Sequence, residues 1–251
     1  MAIKRIIPCL DIDNGRVVKG KQFQNMQDVA DPITLAKQYD LDFADELFML
    51  DISRTNRSTF LNIVKQVANE ISIPLSVGGG IQTINDMEEV FEAGADKVSI
   101  TSAAIENPNL LQQAVKQFGS KKIVLAIDAK RVADNKWHAF TKGGKNDTGL
   151  DAIEWAKQGE QFGVGEILVN SIDADGEKAG YDIPLNQKMA EAVSISIIAS
   201  GGAGEMDHFR EILTDGKADA ALAASVFHYE EIILSDLKEY LLNFEIPVGE
   251  I

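Results

Sequence analysis

Ile6-Ile7-Pro8-Cys9-Leu10-Asp11 is an apolar run that ends abruptly in a carboxylate, and the stretch Asn14-Gly15-Arg16-Val17-Val18-Lys19-Gly20 follows it as a loop. A short apolar run bounded by polar residues and glycine reads as a strand buried on both faces, the kind found in parallel sheets. Its last side chain then stands at the carboxyl edge of the sheet. Ile123-Val124-Leu125-Ala126-Ile127-Asp128 repeats this grammar and ends on the same residue type. Two strands therefore deliver two carboxylates, Asp11 and Asp128.

Outward from these runs, strand-like and helix-like segments alternate to both ends of the chain. Asp31-Pro32 opens a helix through Leu41, with Asp as N-cap and Pro in the first turn. Glu46 to Asp51 is a strand, and Phe60, Ile63, Val64, Val67 and Ile71 mark an amphipathic helix. Pro74 to Val77 is a strand leading into Gly78-Gly79-Gly80; a helix follows to Glu92, then a strand over Lys97–Ile100 and a helix from Asn107-Pro108. After Asp128 comes a polar insert, Arg131 to Gly149, with a small hairpin at Trp137 to Phe140. Strands at Glu166–Asn170, Ile197–Ser200 and Ala220–Ala223 then alternate with helices up to Phe244. About eight strand–helix units with short connections predict an α/β fold, one closed (β/α)8 TIM barrel in a single domain over residues 1–251.

The two halves also resemble each other. Val77-Gly78-Gly79-Gly80-Ile81 aligns with Ala199-Ser200-Gly201-Gly202-Ala203 at an offset of 122, and Asp11 and Asp128 stand 117 apart. Such self-similarity predicts a barrel of two similar half-barrels, each with its own glycine loop and carboxylate. Each loop joins a strand to a helix, where bare N–H groups can approach an anion. Phosphate sites in barrels commonly lie after the seventh and eighth strands. Here those positions are Gly201, Gly202 and Ala203 with Ala224 and Ser225, and their counterparts are Gly79 and Gly80 with Thr101 and Ser102. The plainer reading is that the glycines only make tight turns. Two symmetric loops favour a ligand with two phosphates, to one of which Lys19 could bring a positive charge.

Asp11 and Asp128, on roughly opposite sides of a barrel, would flank a substrate as general acid and general base. The alternative is that each caps its following loop through backbone N–H groups. Asp51 and Asp173 are weaker candidates of the same kind. At the opposite end Arg5, Glu46, Lys97 and Glu166 each stand at or near a strand start. Two charges of each sign would form a closed ring at the amino-terminal mouth, which at that face usually serves stability.

Composition narrows the function classes. A net charge of -15 argues against nucleic acid or an anionic membrane surface as partner. A single cysteine excludes an internal disulfide, and no His or Cys cluster has metal-ligand spacing. No apolar run approaches the roughly 20 residues of a membrane span, and the N-terminus carries no signal-like stretch. A cytoplasmic protein is expected.

Arg5 to Asp11, Gly15 to Gly20, Asp45-Glu46-Leu47, Leu50-Asp51-Ile52, Val77 to Ile81, Gly94 to Ser99, Ala126 to Lys130, Ile198 to Gly204 and Ala221 to His228 together resemble the cyclase subunit family of imidazole glycerol phosphate synthase. The resemblance covers essentially the whole chain. It implies a barrel of two half-barrels in histidine biosynthesis, paired as a heterodimer with a glutaminase subunit that supplies ammonia. The cyclase joins that ammonia to a bis-phosphorylated formimino-aminoimidazole-carboxamide ribonucleotide (PRFAR), releasing imidazole glycerol phosphate and AICAR. It further implies Asp11 and Asp128 as the catalytic pair and Lys19, Asn170, Asp173 and the two loop sets as substrate contacts. The ring of Arg5, Glu46, Lys97 and Glu166 becomes a gate through which ammonia enters the barrel core, and no metal or organic cofactor is implied. The family usually has Asn at the position of Thr101, Thr at that of Asn170, and a Val-Arg ending. One alternative is a paralogous barrel feeding ammonia to sugar-modifying enzymes of surface polysaccharide synthesis, a group that often lacks an acid at the position of Asp11. Another is a catalytically silent scaffold for a glutaminase, which would need neither the carboxylates nor the loops.

Overall fold

A computed structural model describes residues 2–21, 24–53 and 57–251, without the side chains of residues 19–27. The first half of the chain runs β1 (Arg5–Asp13), β2 (Arg16–Lys21), β3 (Gln24–Ala30), α1 (Pro32–Leu41), β4 (Leu47–Asp51), α2 (Arg57–Glu70), β5 (Leu75–Gly78), α3 (Ile84–Glu92), β6 (Lys97–Ile100), α4 (Ser102–Glu106) and α5 (Asn109–Phe118). The second half runs β7 (Ile123–Ala133), β8 (Lys136–Thr141), β9 (Asn146–Asp151), α6 (Ala152–Phe162), β10 (Glu166–Ser171), α7 (Ile183–Ala192), β11 (Ser196–Ser200), α8 (Met206–Thr214), β12 (Ala220–Ala223), α9 (Ser225–His228) and α10 (Leu234–Asn243).

Eight parallel strands close on themselves in the order β1, β4, β5, β6, β7, β10, β11, β12, with β12 returning to β1. Closure explains the apolar grammar of the strands, because each has one face in the barrel and one under the helices. In β1, Ile6, Leu10 and Ile12 pack outwards in the large strand–helix core. Ile7 and Cys9 point inwards to meet Phe48, Val124, Leu168, Ile198 and Leu222. All of these residues are almost fully buried.

Helix starts follow local chemistry. The Asp31 side chain accepts from the Thr34 N–H with Pro32 in the first turn, and Asp151 accepts from the N–H groups of Ile153 and Glu154. Gly94, at φ +108°, takes the chain away from α3.

Two segments are more regular than the sequence reading expects. The stretch after Asp11 is not a loop: β1 turns at Asn14-Gly15, both at positive φ, into β2, pairing Asp13 with Arg16 and Ile12 with Val17. Asn-Gly is the preferred pair for that two-residue turn, so the signal was present in the sequence. The polar insert likewise forms a three-stranded antiparallel unit of β7, β8 and β9. Each half therefore carries a β-hairpin extension on its first barrel strand. The short helices α4 and α9, too brief to show periodicity, also match across the halves. Among the described residues no helix is long and apolar enough to cross a membrane.

Candidate active site

The carboxyl ends of the strands form a mouth in which β1 and β7 are four strands apart in either direction around the ring. Asp11 and Asp128 therefore face each other across it. Asp11 is buried, at 4% exposure. Asp128 stands beside Asn170 in the β7–β10 register, and Asn170 stands beside Ser200 in the β10–β11 register. Asn170 Nδ2 donates to Asp128 Oδ1 at 3.0 Å, and Ser200 Oγ donates to Asn170 Oδ1 at 3.2 Å. This chain of bonds sets the amide orientation of Asn170, so that its N–H rather than its carbonyl meets the carboxylate. Burial pushes the Asp128 carboxyl above the ordinary range; the Asn170 N–H opposes the rise, and the nearby charge of Asp175 adds to it.

Asn170→Ala removes the only one of these three influences that favours the carboxylate. The Asp128 carboxyl should then rise further, and the limb of the pH–rate profile that requires its ionised form should move to higher pH. A profile that superimposes on that of the native chain would show that the Asn170 bond is without consequence for proton transfer.

The glycine loops lie at the same mouth. Gly79 (φ +87°) and Gly201 (φ +89°) adopt the left-handed region and run so close to the strand ends beside them that a side chain would collide with the carbonyls of Asp51 and Ser171 respectively. Their following glycines differ. Gly80 (φ +65°) has open space where a side chain would go, whereas one on Gly202 (φ +112°) would strike the Gly180 carbonyl. Gly180 N–H in turn donates to the Gly202 carbonyl at 2.8 Å. The second loop is thus covered by the β10–α7 connection. Thr101 and Ala224, just before α4 and α9, share an unusual backbone (φ -114°, ψ -93° and φ -125°, ψ -75°). That likeness carries the half-chain repeat down to single dihedrals, with Ser102 and Ser225 each opening the next helical turn. The Ser102 hydroxyl accepts from Lys142 N–H at 3.2 Å, so the β8–β9 turn reaches over the first loop.

Other sequence candidates have structural employment. Asp51 accepts from the backbone N–H and hydroxyl of Ser53, and Asp173 accepts from Arg131 N–H at 2.8 Å, holding the root of the β7 extension. Lys19 lies in β2 opposite Gln27, and its side chain falls outside the described residues.

At the amino-terminal mouth the four charges do form a closed ring. Arg5 reaches Glu46 at 2.6 Å and Glu166 at 2.8 Å, and Lys97 reaches the same two carboxylates at 2.9 and 3.0 Å. Two serines that sequence reasoning missed complete it: Ser76 Oγ donates to Glu46 at 2.5 Å, and Arg5 donates to Ser196 Oγ at 3.1 Å. Both occupy the first turn-in of their strands, β5 and β11, so counting alternate inward positions from each strand start would have found them. Glu46 is 1% exposed, and a carboxylate so buried needs every one of these partners.

A family model described as "Histidine biosynthesis protein" matches residues 5–233 of the chain. The chain is also 57% identical, over 250 residues, to imidazole glycerol phosphate synthase subunit HisF of Oceanobacillus iheyensis; the match covers 99% of this chain and 98% of that relative.

Proposed function

This chain belongs to the histidine biosynthesis protein family, and from that premise we propose that it is the ammonia-using cyclase subunit of imidazole glycerol phosphate synthase, with Asp11 and Asp128 as its acid–base pair. The observation that carries the reading is the pair of carboxylates facing each other across the mouth of one closed barrel, between two glycine loops. PRFAR has a phosphate at each end and its reacting atoms between them. A substrate of that shape spans the mouth with one phosphate at Gly79, Gly80, Thr101 and Ser102 and the other at Gly201, Gly202, Ala203, Ala224 and Ser225. Its centre then lies between the two aspartates.

The chemistry needs protons removed from the attacking nitrogen and delivered both to the ketone oxygen, which leaves as water, and to the departing amine of AICAR. Paired carboxyls suit this exchange, and a carboxyl held above its ordinary range, as at Asp128, keeps a proton available closer to neutral pH. Asn170 orients Asp128, and Lys19 serves one of the phosphates. A glutaminase subunit docks at the other end of the barrel, and ammonia passes the ring of Arg5, Glu46, Lys97 and Glu166 to reach the carboxylates. Turnover of PRFAR with ammonium salt by this chain alone, followed as loss of substrate absorbance and formation of both products, tests the assignment. Substrate binding without turnover would favour a silent scaffold, and no binding would favour an ammonia channel serving a different acceptor.

The ring supplies a separate test. Lys97→Ala leaves Glu46 and Glu166 sharing Arg5 alone and opens the constriction. Glutamine-dependent turnover with the partner should fall several-fold while ammonium-driven turnover is kept, because added ammonia reaches the mouth from solvent. Equal loss in both assays would mark the ring as a stability device only.

A further inference from the structure

The two glycine loops are tied to their following helices by different chemistry. In the first half Asp86, in the first turn of α3, accepts from the N–H groups of Gln82 and Thr83, both at 2.8 Å. At the matching positions of the second half, all 122 residues on, the acceptor is His208 in the first turn of α8. Its Nδ1 accepts from the N–H groups of Gly204 and Glu205, both at 3.1 Å. One ring nitrogen thus gathers two N–H groups, which only an unprotonated nitrogen can do. The same ring supports the cover of the loop. Gly180 lies against it, so closely that a side chain there would stand 3.4 Å from Cδ2, and Gly180 is bonded to Gly202.

We propose that His208 in its uncharged form is the positioning residue for the second glycine loop, so that substrate binding at this loop, unlike its twin, weakens as the imidazole takes up a proton. The inference rests on the reading of this loop as a phosphate site. Protonation puts an N–H where two others already point, and Gly204-Glu205 must turn away, taking Gly201-Gly202-Ala203 and Gly180 with them. Asp86 has no such vulnerability near neutral pH: against the desolvation that burial imposes, the N–H groups of Gln82 and Thr83, the Thr83 hydroxyl and the charge of Arg57 hold its carboxyl below the ordinary range.

The charged groups near His208 offer no substitute acceptor. On its own helix Asp207 is bound to Arg210 and to Tyr240 of α10, which together hold its carboxyl down at about 2, so it stays charged throughout. From the β10–α7 connection Lys178 is paired with Glu231, and the Glu205 side chain is engaged in the capping box at the start of α8, where it accepts from the His208 backbone N–H.

The test is the KM for PRFAR between pH 5.5 and 8.5, in ammonium-driven assays at fixed free ammonia, for the native chain, His208→Asn and His208→Ala. Asn offers an oxygen where His offers Nδ1 and does not titrate. From pH 8 to pH 6 the native KM should rise at least about threefold more than that of His208→Asn, with little difference in kcat. Both share the second ionisation of the substrate phosphates, near pH 6, which therefore cancels. His208→Ala should show a KM raised roughly five- to tenfold already at pH 8, because two acceptor bonds are lost together. Parallel KM curves for the native chain and His208→Asn would overturn the proposal, even if His208→Ala fails to fold. Ser225→Glu separates the underlying reading, since a carboxylate at the start of α9 should raise KM at every pH. An unchanged KM in that variant would remove the phosphate site itself, whereas a raised KM with parallel His208→Asn curves would remove only the role of His208.

Discussion

Asp11→Asn and Asp128→Asn should each lose about 10²–10⁴-fold in ammonium-driven kcat, since Asn keeps the size of the side chain but cannot exchange the proton. The fold should tolerate both, and for Asp128 the sign of the stability change follows from its shifted ionisation. Burial, opposed by Asn170 and reinforced by Asp175, raises the folded-state pKa of this carboxyl above its unfolded value. The favourable contribution of such a group is full below the unfolded pKa and is lost as pH rises through the folded one, so at neutral pH the carboxylate is a burden on the native state. A neutral amide removes that burden. Asp128→Asn should therefore unfold at the same temperature as the native chain or above it while being nearly inactive. Near-native turnover in either variant would take that residue out of the mechanism, and a clear fall in melting temperature for Asp128→Asn would contradict the electrostatic account.

The largest stability effect is expected far from the carboxylates, at Asp45→Ala. Lys238 of α10 is 1% exposed, and its ammonium meets only Asp45 Oδ1 at 2.7 Å and the Glu250 carbonyl at 3.0 Å among the described residues. The other Asp45 oxygen accepts from Ile6 N–H at 2.7 Å. One carboxylate thus joins β1, the last helix and the C-terminal tail, which runs beside Lys4 and passes Asp45 at Gly249, where no side chain would fit. Removing the acid strands a buried cation, at a cost of about 3–5 kcal/mol. For a chain of this length that corresponds to a melting temperature lower by roughly 6–20 °C. Ammonium-driven kcat should change little at a temperature where the variant is folded, because the carboxylates are at the other end of the barrel. Replacing both partners by apolar residues of similar volume should recover most of the loss. A cost below about 1 kcal/mol for Asp45→Ala, measured by urea unfolding, would show the pair to be far better solvated than its burial indicates.

Much of this architecture is a property of the sequence alone, because strands buried on both faces must be written as unbroken apolar runs and their ends must be polar. That is why β1, β4 and β7 can be read off with the aspartates that close their apolar runs, although β1 and β7 themselves run on past Asp11 and Asp128, why the half-chain repeat predicts facing carboxylates, and why the capped starts of α1 and α6 fall where Asp31 and Asp151 stand. The four ring charges were also legible, since each opens or nearly opens a strand. What the tertiary structure decided is who stands beside whom. That Asn170 faces Asp128 depends on the β7–β10 register, and that Gly80 is open while Gly202 is covered depends on where a distant connection comes to rest. Asp173, a candidate substrate contact in sequence, also accepts from Arg131 N–H across 42 residues, and His208, unremarkable in sequence, gathers two N–H groups of the second loop. Period and polarity are local and survive in a one-dimensional string. Hydrogen-bond partners 30 to 193 residues apart are set by strand register and helix docking, and no local pattern encodes them.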